Sequence, residues 1–296
     1  MTEHHLHHHH HHEVSEKSIR LLIVSFAINI LLSAAEIIGG IIAGSISLIG
    51  DALHNTSDAF SILIAVIAFK IGRRKASEKY TYGFKRAEVI GGFVNLILLF
   101  ISGCYLFIEG IFRLIDPQPI EGKLIIIISV LALIIDAVTA KISHHGAAHN
   151  TNMKMVFIHN LADAFGSVGV IISGIFVMYF DIFWMDGLIA LCIAAYMIYQ
   201  SVLTFPKTVN ILMNAAPDHL NVHDISRAIE DIEGVRNVHH IHLWCINEND
   251  VALDCHIQAS DVTMAHKVAE VLQHRFDIHH CNIQIEDENC CQSCEL

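Results

Sequence analysis

The sequence predicts a helical membrane domain of six spans followed by a soluble domain of two helices and three strands. Three observations predict it. The chain is 53% hydrophobic and only 16% charged over 296 residues, too apolar for a soluble globular protein. The apolar residues are unevenly spread, dominating 19–206 and giving way to ordinary mixed composition afterwards. Within the apolar part, runs of about 20 residues recur, the length that carries a helix across a bilayer.

Six such runs stand at 20–43, 46–71, 88–112, 123–142, 155–180 and 186–206. Each is a helix, because lipid offers the backbone no partner outside the segment. A short acidic turn at 181–186 separates the last two. The first run is long enough to stay in the membrane, so no cleaved signal peptide is expected. Lys and Arg set the orientation. Arg73, Arg74, Lys75, Lys79, Lys85 and Arg86 crowd the loop after the second run, and Lys17, Arg20, Lys141, Lys154 and Lys207 fall on the same side. Only Arg113 and Lys123 face the other side, which predicts both termini in the cytoplasm.

After Lys207 the pattern becomes α-β-β-α-β. VHDISRAIEDIEG is an amphipathic helix closed by Gly234, and VRNVHHIHLWC and ALDCHIQAS are strands joined by the turn NENDV. MAHKVAEVLQHRF is a second helix and CNIQIE a third strand. The chain thus divides into an N-terminal His-rich tail (1–18), the membrane domain (19–206), the soluble domain (207–289) and a Cys-rich end (290–296).

The net charge of −12 lies mostly in the soluble part and argues against nucleic acid as a partner. Histidine is unusually abundant, at 23 residues. It forms an N-terminal run (His4, His5 and His7 to His12) and a loop at 143–150 with His144, His145 and His149. Leu6 interrupts the run and no protease site follows it. The run therefore reads as a native metal-gathering tail; the alternative is an expression tag. The loop is placed to hand metal on, or is simply solvated. Six of the eight cysteines lie from Cys245 onward, beside histidines. That clustering suggests thiolates kept reduced for metal rather than a disulfide framework.

The second run contains GDALHNTSD at 50–58. Ionisable groups inside a membrane cost at least about 2–3 kcal/mol each, so Asp51, His54 and Asp58 need a reason. His54 and Asp58 are four apart and share a helix face. The fifth run repeats the pattern, with His159 and Asp163 in HNLAD against HNTSD. Two helices, each offering an imidazole and a carboxylate, close a tetrahedral site of two nitrogens and two oxygens, suited to Zn²⁺ and also to Cd²⁺ or Co²⁺. A site that must lose protons to take up metal couples binding to proton release.

GDALHNTSD, YTYGFKRAEV, IHNLADAFGSVGVI and VHHIHLW with ALDCHI together resemble the cation diffusion facilitator family, in its zinc-transporting branches. The resemblance covers 15–286. It implies a homodimer of six-helix protomers with a cytoplasmic ferredoxin-like domain, exchanging Zn²⁺ for protons by alternating access. It makes His54, Asp58, His159 and Asp163 the transport ligands. It further implies a cytoplasmic, regulatory zinc site of His239, His256 and Glu286, joined by Cys291 and Cys294 of CCQSC. His239 and His242 are three apart in a strand, so only one of them is expected on the face of His256. Some relatives carry a further site of Asp and His in the loop after the second span; RRKASEKYTYGFKRAE has neither residue, and no site is expected there.

Asp51 has two readings: relaying protons or guiding cations toward the site, or capping a helix start near Gly44 and Ser45. Asn29, Glu36 and Asp136 are expected to hydrogen-bond inside the bundle. Gly39, Gly40, Gly91 and Gly92 are expected to permit close helix packing or bending. The function that follows is export of cytoplasmic Zn²⁺ in exchange for protons, in a bacterial inner membrane. No Walker or phosphorylation motif supplies another energy source. A membrane-anchored zinc sensor or buffer is the alternative, but an anchor has no use for paired ionisable residues in two spans. An enzyme is not expected, since four protein ligands leave no open metal position for a water.

Overall fold

The computed structural model describes residues 16–72, 74, 76–147 and 151–286. Its elements in order are α1 (Glu16–Ala43), α2 (Ile46–Gly72), α3 (Ala87–Ile115), α4 (Gly122–Ala147), α5 (Thr151–Phe180) and α6 (Trp184–Leu212). Then follow α7 (Val222–Glu230), β1 (Val235–Cys245), β2 (Val251–Ala259), α8 (Met264–Phe276) and β3 (His280–Glu286). The long helices cover the six expected runs, each extended at one or both ends. Five of them, α1, α3, α4, α5 and α6, contain windows apolar and long enough to cross a membrane. The remaining one, α2, carries GDALHNTSD.

Two expected connections prove to be helix in part, with 148–150 of the first outside the described residues. Residues 143–147 continue α4 rather than forming a loop, and 184–186 are the first turn of α6 rather than part of a turn. Once a helix is nucleated, each further residue adds a hydrogen bond, so polar side chains alone do not stop it.

The chain forms two compact units. The first takes the residues up to Ile67 with Ile97–Ser201. Its interior is apolar, with Leu48, Leu106, Ile125, Val170, Ala190 and Met197 fully buried. Leu31, Phe112 and Phe165 stay exposed, the surface expected of helices in lipid. The packing expected at Gly39 and Gly40 is present: a Cβ on Gly39 would lie 1.9 Å from Ile128 Cδ1, and one on Gly40 2.7 Å from Ile49 Cγ1. At Gly92 there is no such close packing among the described residues, since a Cβ there would meet nothing within 4 Å.

The second unit takes Ala68–Leu96 and the chain from Val202 onward. Its sheet has the order β1-β2-β3, with β1 and β2 antiparallel and β2 and β3 parallel. The parallel pair needs a crossover, which α8 supplies. Asn221 caps α7 by accepting from His223 N–H at 2.9 Å. Ile225 and Ile229 of α7 and Val268 and Leu272 of α8 cover one sheet face, burying Val238, Leu253, Cys255 and Ile257. Period-2 alternation then puts His256 on the opposite face, and the register sets it beside Gln284, two residues before Glu286. The basic loop belongs to this unit: Lys85 Nζ lies 3.1 Å from Asp250 Oδ1, and Arg86 donates to Asn214 Oδ1.

Candidate metal centre

The four ionisable residues singled out in the apolar runs converge inside the first unit. One helical turn separates His54 from Asp58 on α2 and His159 from Asp163 on α5, so each helix presents both side chains on one face. His54 Nε2 lies 3.7 Å from Asp58 Oδ2 and 3.1 Å from Asp163 Oδ1. His159 Nε2 lies 3.5 Å from Asp58 Oδ2 and 3.6 Å from Asp163 Oδ2. Each imidazole therefore touches the carboxylate of its own helix and that of the other. Tetrahedral zinc with bonds of about 2.0–2.1 Å holds its donor atoms about 3.3–3.4 Å apart. These four contacts bracket that value, and His54, Asp58 and Asp163 form the group whose donor atoms all lie within 4.8 Å of one another, with His159 at its edge. His54 and Asp163 are buried and Asp58 is partly buried. The His159 side chain is 41% exposed, which makes it the solvent-facing member.

Two buried atoms of the cluster, His54 Nδ1 and Asp58 Oδ2, make no hydrogen bond of good geometry among the described residues. Buried polar atoms left without a well-directed hydrogen bond are costly, which suits a cluster shaped for a cation. Tyr196 of α6 stands edge-on to His54, ring centroids 5.5 Å apart. A cavity of about 370 Å³ opens beside the cluster, lined among others by Asp51, His54, Asp163, Gly166 and Tyr196.

The polar groups around the cluster are paired with one another. Ser167 Oγ lies 3.3 Å from Asp51 Oδ2 and 3.2 Å from Asp136 Oδ2. Asn55 Nδ2 donates to Glu36 Oε2 at 3.0 Å. Glu36 and Asp136 therefore do hydrogen-bond inside the bundle. The capping alternative for Asp51 is overturned: α2 starts at Ile46, Ser45 is its N-cap, and Asp51 lies in the second turn facing Ser167.

In the second unit, His239 Nε2 lies 3.1 Å from Glu286 Oε2 and His256 Nδ1 2.8 Å from Glu286 Oε1. The register explains it, since His239 pairs with His256 across β1 and β2. The expectation that only one of His239 and His242 shares the face of His256 is wrong. His242 pairs with Asp254, so β1 spends three residues where β2 spends two. In this bulge His240 has a φ of 51°. The extra residue shifts the alternation by one and returns His242 to the face of His239. The His240 and His242 Nε2 atoms stand 3.2 Å apart, and the rings of His240 and His256 4.7 Å apart. The other expected ligands, Cys291 and Cys294, lie outside the described residues, as does the N-terminal histidine run.

The thiolate expectation fails for Cys245, Cys255 and Cys281. Cys281 packs against the apolar core of the sheet and Cys245 is buried with Val89 and Ile211, and burial pushes all three thiols up, Cys255 to about 12. Cys255 packs in the core under α7 and α8.

A family described as "Cation efflux transmembrane domain" matches residues 22–213, and one described as "Cation efflux protein, cytoplasmic domain" matches 217–288. The chain belongs to the cation efflux family. It is 30% identical over 277 residues to the cadmium, cobalt and zinc/H(+)-K(+) antiporter of Bacillus subtilis (strain 168), covering 91% of this chain and 89% of that protein. It is 28% identical over 293 residues to zinc transporter ZitB of Escherichia coli (strain K12), covering 97% and 93%. It is 28% identical over 279 residues to the metal cation efflux system protein CzcD of Cupriavidus metallidurans, covering 93% and 88%.

This cation efflux protein is therefore an integral membrane protein with a helical transmembrane region and a cytoplasmic domain built on a small sheet. Sequence reasoning passes over Ser167, Tyr196 and His240. Ser167 is within its reach, being four residues after Asp163 and so on the same face of α5. The others owe their places to tertiary contacts or to the bulge.

Proposed function

We propose that this cation efflux protein exports cytoplasmic Zn²⁺ in exchange for protons, with His54, Asp58, His159 and Asp163 as the transport ligands. One observation carries the reading: two nitrogens and two carboxylates, donated in pairs by α2 and α5, meet at 3.1–3.7 Å within the transmembrane region. That donor set suits Zn²⁺, Cd²⁺ and Co²⁺ over hard cations that want six oxygens. The Bacillus subtilis relative's name pairs cadmium, cobalt and zinc with H(+)-K(+) and the Escherichia coli relative's names zinc, which favours the same cargo and, from the first, an exchange. All six long helices span the membrane in this reading, with both termini in the cytoplasm of a bacterial cell. Metal and proton occupancy of the donors are mutually exclusive, so uptake on one side and release on the other exchange the two ions. Because four protein groups fill a tetrahedral sphere, no position remains for a hydrolytic water, and the site reads as a carrier rather than an enzyme.

His239, His256 and Glu286, completed by Cys291 and Cys294, are the proposed cytoplasmic regulatory site, on a ferredoxin-like domain that pairs two protomers. Their geometry supports a metal there: three donor atoms lie within 4.8 Å of one another, and His239 Nδ1 is buried without a partner among the described residues. The residues at that position would hold Zn²⁺, which supplies charge to bind the carboxylate and imidazoles together.

Zn²⁺ flux into proteoliposomes under an imposed pH gradient tests the proposal. Wild type is expected to accumulate zinc faster as the gradient steepens, and Asp163→Ala to lose transport. Equal flux in the two proteins refutes the ligand assignment; flux indifferent to the gradient refutes the exchange.

A further inference from the structure

Every α-helix begins with about four backbone N–H groups that have no intrahelical partner. At the start of α2 they are accounted for. Ser45 N–H donates to Gly40 O at 2.9 Å across a tight corner in which Gly44 takes a φ of 72°. Glycine tolerates that left-handed conformation, which commonly closes a helix. Ile46 N–H donates to Asp186 Oδ2 at 2.7 Å and Ser47 N–H to Asp186 Oδ1 at 3.4 Å. Leu48 N–H donates to Ser45 Oγ at 3.2 Å. The two hydroxyls converge on the same carboxylate: Ser45 Oγ and Ser47 Oγ donate to Asp186 Oδ1 at 2.6 and 2.5 Å. Asp186 sits in the first turn of α6, 140 residues further along the chain than Ile46. It is only 2% exposed, and both serines are fully buried.

A buried carboxylate requires donors, and Asp186 takes these from one place, the first turn of α2. It also lies at the positive ends of two helix dipoles, those of α2 and α6. Rotating α2 by one residue, about 100°, or sliding it by a turn would strip the carboxylate of these donors. The same two helices touch again further on, where Tyr196 meets His54. Asp186 and Tyr196 are ten residues apart in the chain, and Ile46 and His54 eight. At about 1.5 Å of rise per residue, the two contacts lie roughly 12 to roughly 15 Å apart along the helix axes. Two contacts at that separation fix both the height and the rotation of α2.

We propose that Asp186 is a positioning residue for the transport site: it clamps the first turn of α2 onto α6 and so sets the reach of His54 and Asp58 toward His159 and Asp163. The inference rests on the transport reading above. The carboxylate touches none of the four donors; it acts through the helix that carries two of them.

The test uses the full chain and two readouts: zinc flux in proteoliposomes, and zinc affinity by competition with a chromophoric chelator for the sites that Asp163→Ala removes. Asp186→Asn keeps the shape but turns one acceptor toward Ile46 N–H into a donor. The expected result is a tenfold or greater rise in both KM and Kd for zinc with maximal flux within threefold of wild type. Preference for zinc over cadmium narrows, because a less constrained site admits the larger ion. Ser47→Ala removes a single donor and should raise KM two- to fivefold. Combined with Asp186→Asn it should add nothing, since the two act as one unit. Wild-type affinity in Asp186→Asn, or additive effects in the double variant, overturns the clamp. Should Asp186→Asn fail to fold, Ser45→Ala and Ser47→Ala carry the test, and unchanged KM and Kd in both overturn it. Absence of flux in wild type overturns the transport reading instead, and the affinity arm then still decides the clamp.

Discussion

The two histidine–carboxylate clusters reach similar donor sets by opposite routes. In the transmembrane region, His54 with Asp58 and His159 with Asp163 are set by helical period, and tertiary packing has only to bring two ready-made pairs together. In the cytoplasmic domain, His239, His256 and Glu286 come singly from three strands, and only sheet register makes them neighbours. A bulge then adds His240 and His242 to the same face. A cluster built from local pairs is robust to small shifts along the chain. One built from register depends on every residue of the strand, because a slip of one residue moves a side chain to the other face.

The comparison breaks most visibly under ligand deletion. Asp163→Ala should lower zinc flux at least a hundredfold, because the two imidazoles keep a single carboxylate and the tetrahedral set is open. Glu286→Ala should instead remove about one bound zinc per protomer, measured by metal analysis after gel filtration, and weaken the metal-dependent response of transport. If Glu286→Ala abolishes transport as fully as Asp163→Ala, the division into transport and regulatory clusters is wrong.

A smaller effect tests the core on which the register cluster rests. Burial raises the Cys255 thiol from its ordinary value near 9.0 to about 12. The folded state thus keeps a proton that the unfolded chain releases at alkaline pH. This contribution is whole below pH about 9 and is lost as pH rises toward about 12, with roughly 4 kcal/mol as its upper bound. Thermal melts of the full chain between about pH 8 and about pH 11 should fall faster for wild type than for Cys255→Ala. Parallel curves would remove Cys255 from the account.

The smallest effect concerns the bulge itself. His240 holds a φ of 51°, a conformation that a β-branched residue tolerates poorly. His240→Val should cost about 1–3 kcal/mol in the same melts, while His240→Gly should keep the bulge without that strain. Equal stability of the two variants would show that the bulge does not depend on this residue.

Legibility follows the range of the interaction. The ligand pairs are readable because i, i+4 spacing is a property of any helix, and duplication in two spans makes them specific. Asp51 is visible as costly, yet its surroundings are not, since Ser167 and Asp136 come from other helices. Alternation wrongly separates His239 from His242 for a physical reason: it assumes an unbroken ladder, and nothing in VHHIHLWC marks His240 as the residue that breaks it. The cysteines mislead through composition. Their nearness to histidine in sequence suggests metal thiolates, while alternation along β2 turns Cys255 into the apolar core.

By itself the sequence determined the long apolar helices, the order of the cytoplasmic elements and the two ligand pairs, because hydrophobic length and helical period act within a span of about 20 residues. Only the tertiary structure decided which pairs meet, where His242 points, and that a carboxylate at the head of α6 closes the first turn of α2. Those depend on contacts between segments far apart in the chain, or on one strained backbone angle, and neither leaves a periodic trace in the sequence.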